Sequence, residues 1–460
     1  MALLIWQFGQ LRAYAAPQAS AQNVISSSDL AFLSAQKGNA LLAQKDYPAA
    51  EAEFREAVAA QPKLAAAHHG LALALWDEGK RTEALQEFTT ATGLDPDDFE
   101  LHYDLAKAEW AMAQVLRQAN GPDSSATAAD YLEVAIIEMR KALALKPKEA
   151  DVHLSLARLY LEAKQPDDSI SEAREAERLE PSDSSAVVTL GEAYASKGNT
   201  VEALTSFQKA IELNSNDGGG YLALGQLLAS EGKVAPAEAA FRQAIQAVPK
   251  LEPAYAGLGE LLQQAQQPAE AVTILNRAVE LDPTDWMSEF RLGEIYEHAG
   301  NIAKATRLYE NVIHLNPRYP PARERYALDL VRRGDLSGAA AQAEAISAQD
   351  PQAPEGHRVM ALVLWKQRKY DASLAECAMA LAEDRRSART LAVQALDLWE
   401  QGHRGEARNA YVAASKLQAN LSSALVFCRL VECGSADVNM VEDFIHKNRW
   451  ALQPPPEADY

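Results

Sequence analysis

Nine histidines and three cysteines are the residues of this chain with the readiest chemistry, and their spacing argues against a metal or nucleophilic site. His68, His102 and His153 recur at steps of 34 and 51 residues. If each step is a stacked structural unit, neighbouring imidazoles sit about 10 Å apart, whereas the ligands of one zinc, with bonds of about 2 Å, lie much closer together. These histidines are expected to fill an aromatic packing slot. Cys377, Cys428 and Cys433 form no CxxC or Cys/His cluster. Cys428 and Cys433 fall five apart in a stretch that reads as helix; a bridge would need that helix to break, so buried, inert thiols are expected. No GxxxxGKS/T, HExxH or GxSxG sequence occurs.

Composition narrows what could position such groups. With 48% apolar residues the chain of 460 is not disordered as a whole. A formal charge of −20 argues against nucleic-acid phosphates or an anionic membrane as the main partner, because both are bound by clustered Lys and Arg. No apolar run reaches the length of a membrane span. Residues 1–30 hold an apolar start followed by Ala13-Tyr14-Ala15 and Ala19-Ser20-Ala21, both small-x-small sites. They fit a truncated signal peptide with a polar linker, and also a ragged N-terminal helix; the first reading leans towards an exported or periplasmic protein, the second towards a cytoplasmic one.

Internal periodicity dominates the rest. Pro62 and Pro96 lie 34 apart, as do Pro147 and Pro181, and Ser215, Pro249, Pro283, Pro317, Pro351, Arg385 and Ala419 continue at the same step. The one exception, from Pro96 to Pro147, is a period plus 17 residues. The grid yields eleven units starting at residues 31, 65, 99, 150, 184, 218, 252, 286, 320, 354 and 388. Each reads as two helices of about 14 residues, roughly 20 Å long. Position 8 is always Gly or Ala, and position 20 is Ala in nine units and Ser (Ser169, Ser373) in two. Small residues there let the two helices approach closely, while bulky ones at positions 7, 11 and 24, such as Leu224, Leu228 and Phe241, fill the remaining space. One pair cannot bury its own apolar face, so neighbours must stack.

This pattern resembles the tetratricopeptide repeat, W-x2-L-G-x2-Y…A-x3-F…P. The fifth unit supplies Leu190, Gly191, Tyr194, Ala203, Phe207 and Ala210; the eighth supplies Leu292, Gly293, Tyr296, Ala305, Tyr309 and Pro317. The resemblance covers residues 31 to about 421 and implies an all-α, right-handed superhelical solenoid of helix-turn-helix units. It further implies a non-enzymatic scaffold that binds protein or peptide partners in a concave groove and needs no cofactor. The alternative is an accessory or regulatory subunit of a cell-envelope assembly, secretion or polysaccharide-export machine. An enzyme lacks chain to be built from, because only 1–30 and 422–460 fall outside the repeats.

In that family the groove is lined mainly by positions 2, 5, 9 and 12 of the first helices. Here these positions hold His69, Leu73, Trp76, Tyr103, Lys107, Trp110, Leu154 and Arg158 in units two to four. Units five to eight give Glu192, Gln226, Glu260, Phe290, Glu294 and Glu297, and units ten and eleven give Arg358, Leu362, Trp365, Arg389, Leu396 and Trp399. The acidic middle favours a basic or mixed-charge peptide. The tryptophans at position 12 serve either as hot-spot anchors or as packing against a neighbouring repeat. Two specialised patterns of the family are not met: Ala35, Asn39, Gly70, Tyr103 and Lys107 do not make a carboxylate clamp, and position 6 holds Asp104, Ser155, Thr189, Ala223 and Gly257 in place of an asparagine ladder.

Three further expectations concern breaks in the pattern. The 17-residue insertion of unit three should extend its first helix through Leu116 and end in a loop at 120–125. Leu421 to Val431 should cap the last unit, with a second helix near Val438–Lys447 and then Trp450 and a proline stretch at 454–456. Asn214 to Gly220 replaces the usual proline and opens a helix with three glycines, which weakens the helix start and predicts a flexible joint between 31–217 and 218–421. Amides of 214–220 are therefore expected to exchange with solvent faster than those of the flanking helices, as measured by hydrogen exchange; equal protection contradicts the joint.

Overall fold

The computed structural model describes residues 26–119, 124–434 and 436–448. The leader reading of 1–30, most of the expected loop at 120–125, and the Trp450 and proline stretch lie largely or wholly outside these residues. Among the described residues there are 24 helices and no strand. They run as α1 (Ser27–Ala43), α2 (Tyr47–Ala60), α3 (Ala65–Asp77), α4 (Arg81–Leu94), α5 (Phe99–Ala119) and α6 (Ser124–Leu145), then α7 (Ala150–Glu162), α8 (Pro166–Leu179), α9 (Ser184–Ser196), α10 (Thr200–Leu213), α11 (Gly218–Ser230) and α12 (Val234–Ala247). They continue as α13 (Glu252–Gln264), α14 (Pro268–Leu281), α15 (Trp286–His298), α16 (Ile302–Leu315), α17 (Pro320–Arg333), α18 (Leu336–Gln349), α19 (Pro354–Lys366), α20 (Tyr370–Glu383), α21 (Ala388–Glu400) and α22 (Arg404–Leu417), and end with α23 (Ala424–Leu430) and α24 (Val438–Asn448). From α3 to α21 every first helix begins on the residue that the 34-residue grid names. Among the described residues two compact units are formed, one up to Glu109 together with Ile137–Pro147, and the other of those between Trp110 and Ile136 together with those from Lys148 onward.

In both units one packing device repeats. The position-24 side chain of a second helix is clamped between position 8 of its own first helix and position 6 of the next. In the first unit, a Cβ placed on Gly38 would lie 2.8 Å from the Phe54 ring and one on Gly70 only 2.2 Å from it. In the second, Cβ atoms on Gly225 and Gly257 would each come within 2.8 Å of Phe241. Where position 24 is small, position 6 is larger: Ala343 is followed by Val359 and Cys377 by Val393, all buried in one core cluster. Total volume is conserved, as close packing requires.

Positions 20 and 32 add hydrogen bonds to this stack. The serines that replace alanine at position 20 satisfy themselves on the position-8 carbonyl of the facing helix, Ser169 Oγ to Ala157 O at 2.8 Å and Ser373 Oγ to Ala361 O at 2.9 Å. The position-32 carbonyl of one repeat accepts from position 4 of the next, through His68 to Pro62 (3.0 Å), His102 to Pro96 (3.0 Å), Tyr255 to Pro249 (3.2 Å), Arg323 to Pro317 (2.9 Å) and His357 to Pro351 (2.9 Å). The histidines thus fill a buried slot as expected, and each also meets a carboxylate through Nδ1: Glu87, Glu138, Glu172 and, for His357, Glu376, at 2.5 to 2.6 Å. His357 belongs to this set, a recurrence that the step count from His68 did not reach.

The helix-to-helix turns are equally uniform. Ten of them carry a left-handed residue at position 15: Gly79, Gly198, Gly232, Gly300, Gly334 and Gly402, and at non-glycine positions Lys45, Lys164, Gln266 and Arg368 with φ of 57° to 62°. Unit three departs differently from what its sequence suggested. Its first helix is 21 residues and its second 22, against 13 and 14 in the following unit, so the insertion lengthens both helices by eight residues each. Lengthened helices keep the described part of the insertion hydrogen-bonded along its backbone, which a long loop would not.

At 214–220 the glycines acquire a packing role. Gly218 and Gly220 are buried, and a Cβ on Gly218 would lie 2.8 Å from Leu251 and 3.1 Å from the Ala244 carbonyl. Gly219 alone has room, and its N–H donates to the capping carboxylate of Asp217 at 3.2 Å. Near the C-terminus, the continuous helix expected across Cys428 and Cys433 is interrupted: α23 ends at Leu430 and Glu432 has φ of 52°. The thiols of Cys428 and Cys433 are half-buried and that of Cys377 fully buried; burial pushes all three up. Two substitutions separate the glycine roles. Gly191→Ala, whose Cβ would lie 2.5 Å from Phe207, is expected to destabilise by about 1–3 kcal/mol. Gly219→Ala is expected to stabilise by up to about 1 kcal/mol, both read from urea denaturation.

Candidate binding groove

The clamp itself does not use positions 2, 5, 9 and 12, the expected groove face of the first helices, although Leu154, Phe290, Leu362, Trp365, Leu396 and Trp399 at these positions enter the core. In the first unit, His69 Nε2 meets Asp104 at 2.9 Å, Arg81 lies 5.8 Å from the half-buried Trp76 ring beside Leu73, and Lys107 lies 5.0 Å from the Tyr103 ring, which stacks on Phe99. Cationic groups at such distances gain modestly from the ring face.

In the second unit the face has three stretches. At its start Trp110 Nε1, Gln114 and Arg117 of the lengthened α5 all donate to Glu162, at 2.6, 3.2 and 2.6 Å. Trp110 is therefore half-buried and fixed by a hydrogen bond, while Arg158 and Glu192 are exposed and Leu154 is buried. In the middle, an open cavity of about 970 Å³ lies across α11, α13 and α15. Gln226, Ala256, Glu260, Trp286 and Arg291 line it, with Arg117 at its edge. The cavity falls on positions 9, 5 and 2 of successive first helices, where the groove was expected.

Much of the acidity expected here is neutralised from within. Glu260 pairs with Arg291 at 2.7 Å, and Glu294 with Gln263 at 3.2 Å and Arg325 at 3.8 Å. Glu297 accepts from the Tyr309 hydroxyl at 2.9 Å and pairs with Arg332 at 3.1 Å. Burial opposes its ionisation, yet Arg325, Tyr309 and Arg332 together hold its carboxyl below the usual range. Phe290 is buried against Tyr309 and Tyr319. The sequence did not mark position 6 as the source of these cations, although Arg291 and Arg325 recur there.

The last stretch is closed by the chain itself. Glu432 accepts from Arg332 at 2.7 and 3.0 Å and lies 3.6 Å from Arg389. Asp437 pairs with Lys366 at 2.6 Å and Arg368 at 3.0 Å, and Arg389 donates to the Leu430 carbonyl at 2.8 Å. Arg358 is held by Glu324, Glu355 and Asp384. Trp365 is 0% and Trp399 8% exposed, and Leu362 and Leu396 are fully buried. In units ten and eleven, then, the residues taken as open groove are interior: the tail that caps the last unit through Phe427, Phe444 and Tyr411 also lays two carboxylates over the basic face.

Beneath this closed end Asp397 is 0% exposed, and neither carboxylate oxygen has a hydrogen-bond partner. Burial pushes it up to about 7. The folded state therefore holds a proton that the unfolded chain releases near pH 4, and stability falls as pH rises from about 4 to about 7. Asp397→Asn is expected to raise the melting temperature at pH above 7 and to give a shrinking benefit towards pH 5; an equal shift at both contradicts it.

No cluster of three metal-ligating side chains occurs among the described residues, and no helix of theirs is long and apolar enough to cross a membrane. Comparison with solved structures finds partial likeness. The Cut9–Hcn1 hetero-tetramer of the APC/C is 13% identical over 87% of this chain and 83% of that one, with a TM-score of 0.45. A tetratricopeptide repeat protein from Parabacteroides merdae is 17% identical over 55% and 94%, with a TM-score of 0.43. YrrB, described as a repeat protein with an unusual peptide-binding site, is 21% identical over 40% and 95%, with a TM-score of 0.31. No curated protein is a significant match. Sequence patterns of the tetratricopeptide repeat match residues 36–98, 69–113, 154–218, 188–252, 228–287 and 297–363, more than half of the chain. Together with the helix pairs that begin on the 34-residue grid, this establishes that the chain belongs to the tetratricopeptide repeat family.

Proposed function

We propose that this chain is a non-enzymatic scaffold that holds a protein or peptide partner along the first-helix face of units six to eight. The observation that carries the reading is the cavity of about 970 Å³ across α11, α13 and α15. Its floor is the packed clamp of Phe241 and Gly257, but Gln226, Ala256 and Glu260 line it at positions outside that clamp, and its size is that of a site able to enclose a ligand group. Other parts of the same face are tied up internally, by α5 on Glu162 and by the tail on Arg332, Lys366 and Arg389.

Filling the cavity tests this directly. Ala256 sits in its lining, so Ala256→Trp is expected to reduce partner capture by about tenfold or more, in keeping with a loss at the centre of an interface. Thr273→Trp, on an exposed position of a second helix, is expected to leave capture unchanged. Quantitative affinity purification with both variants, each first shown to keep its helical circular dichroism, decides the matter; equal capture by all three proteins contradicts the proposal.

A further inference from the structure

Most carboxylates of the face are partnered by a cation, but two that line the cavity are not. Glu260, Glu294, Glu297 and Glu324 are each matched by an arginine, and the tail's Glu432 and Asp437 by an arginine and a lysine. Glu252, at the start of α13, and Asp285, which caps α15 through Met287 and Ser288 N–H at 3.1 Å, make no ion pair among the described residues. Asp285 Oδ2 is moreover buried without a hydrogen-bond partner. Asp282 stands beside them, its carboxylate accepting from Thr284. The cations that line the cavity are already used: Arg117 on Glu162 at 2.6 Å and Arg291 on Glu260 at 2.7 Å. An anion entering here would have to break one of those pairs, whereas a cation completes the pair that is missing.

We infer that this cavity takes a lysine or arginine side chain of a protein partner, with its charge against Glu252 and Asp285 and its alkyl stem along the Trp286 ring. The inference rests on the scaffold reading above and adds the chemistry of the occupant. Trp286 lines the cavity and is held by Tyr319 at a centroid distance of 4.7 Å, a rigid wall for an amphipathic stem. The site also couples binding to a proton. Burial, the charge of Asp285 and a hydrogen bond shared between the two carboxyls push Glu252 up to about 7, so near neutral pH part of the population carries a proton that a bound cation displaces. Glu260, Asp282, Asp285, Arg291 and Arg117 are the charged groups lining the cavity around it. Binding accordingly strengthens as pH rises through about 7.

The test uses the full chain and a short, capped, fluorescent peptide of alternating Lys and Ala, with a Glu and Ala peptide of equal length for comparison. Anisotropy titrations are expected to show binding of the Lys peptide only, tightening as pH rises from about 6 to about 8. Asp285→Asn, in which Asn still caps the helix, is expected to weaken binding about tenfold. Glu252→Gln is expected to weaken it similarly and to flatten its pH dependence, while Glu280→Gln, on an exposed position of the second helix α14, has no effect. Failure of the Lys peptide to bind, equal affinity for both peptides, or unchanged affinity in both cavity variants overturns the cation site. None of these results touches the scaffold reading, which is decided separately by partner capture with Ala256→Trp.

Discussion

The stack depends on one steric constraint: the position-24 side chain must fit between position 8 of its own repeat and position 6 of the next. Phe54 between Gly38 and Gly70, and Phe241 between Gly225 and Gly257, leave no space for even one added methyl group. Because the clamp spans two repeats, it fixes the distance within a helix pair and the step between pairs at once. Overpacking such a contact costs about 1–3 kcal/mol, so a sequence must change both sides together, as Ala343 with Val359 and Cys377 with Val393 do. The position-4 to position-32 hydrogen bonds then satisfy carbonyls that lie between repeats and would otherwise be short of donors.

Function is what the clamp leaves over. With positions 8, 20 and 24 committed to packing, the first helices present other residues along one face, and this chain spends much of that face on itself. The lengthened α5 delivers three donors to Glu162, and the tail brings Glu432 and Asp437 to Arg332, Lys366 and Arg368. Buried pairs of this kind contribute less to stability than their geometry suggests, since desolvation opposes them; their effect is to decide which surface stays available. Within units six to eight, what stays open is the cavity around Glu252, Asp285 and Trp286.

The repeat grid was legible because packing at 8, 20 and 24 writes itself into a strict period of small and large residues. Helix starts, the Pro boundaries and the buried histidine slot followed from it. Ion pairing was not legible, because partners such as Arg291 and Glu260 lie 31 apart and either could as well have faced solvent. The tail was half legible: its apolar spacing announced a cap, but nothing local in Glu432 or Asp437 marks them as reaching lysine and arginine residues 69 to 100 positions earlier. The helix break between Cys428 and Cys433 was hidden for the same reason, since a left-handed Glu432 is imposed by tertiary contacts against its own propensity.

The central claim is that the open middle of the first-helix face is where a partner sits. Photo-crosslinking in the native cell tests it most directly, with a photoreactive amino acid placed in turn at Gln226, at Thr273 on a second helix, and at Arg358 beneath the self-occupied end. The account predicts a defined adduct from Gln226 and none from Thr273 or Arg358. Adducts from Arg358 or Thr273 with none from Gln226 would contradict it.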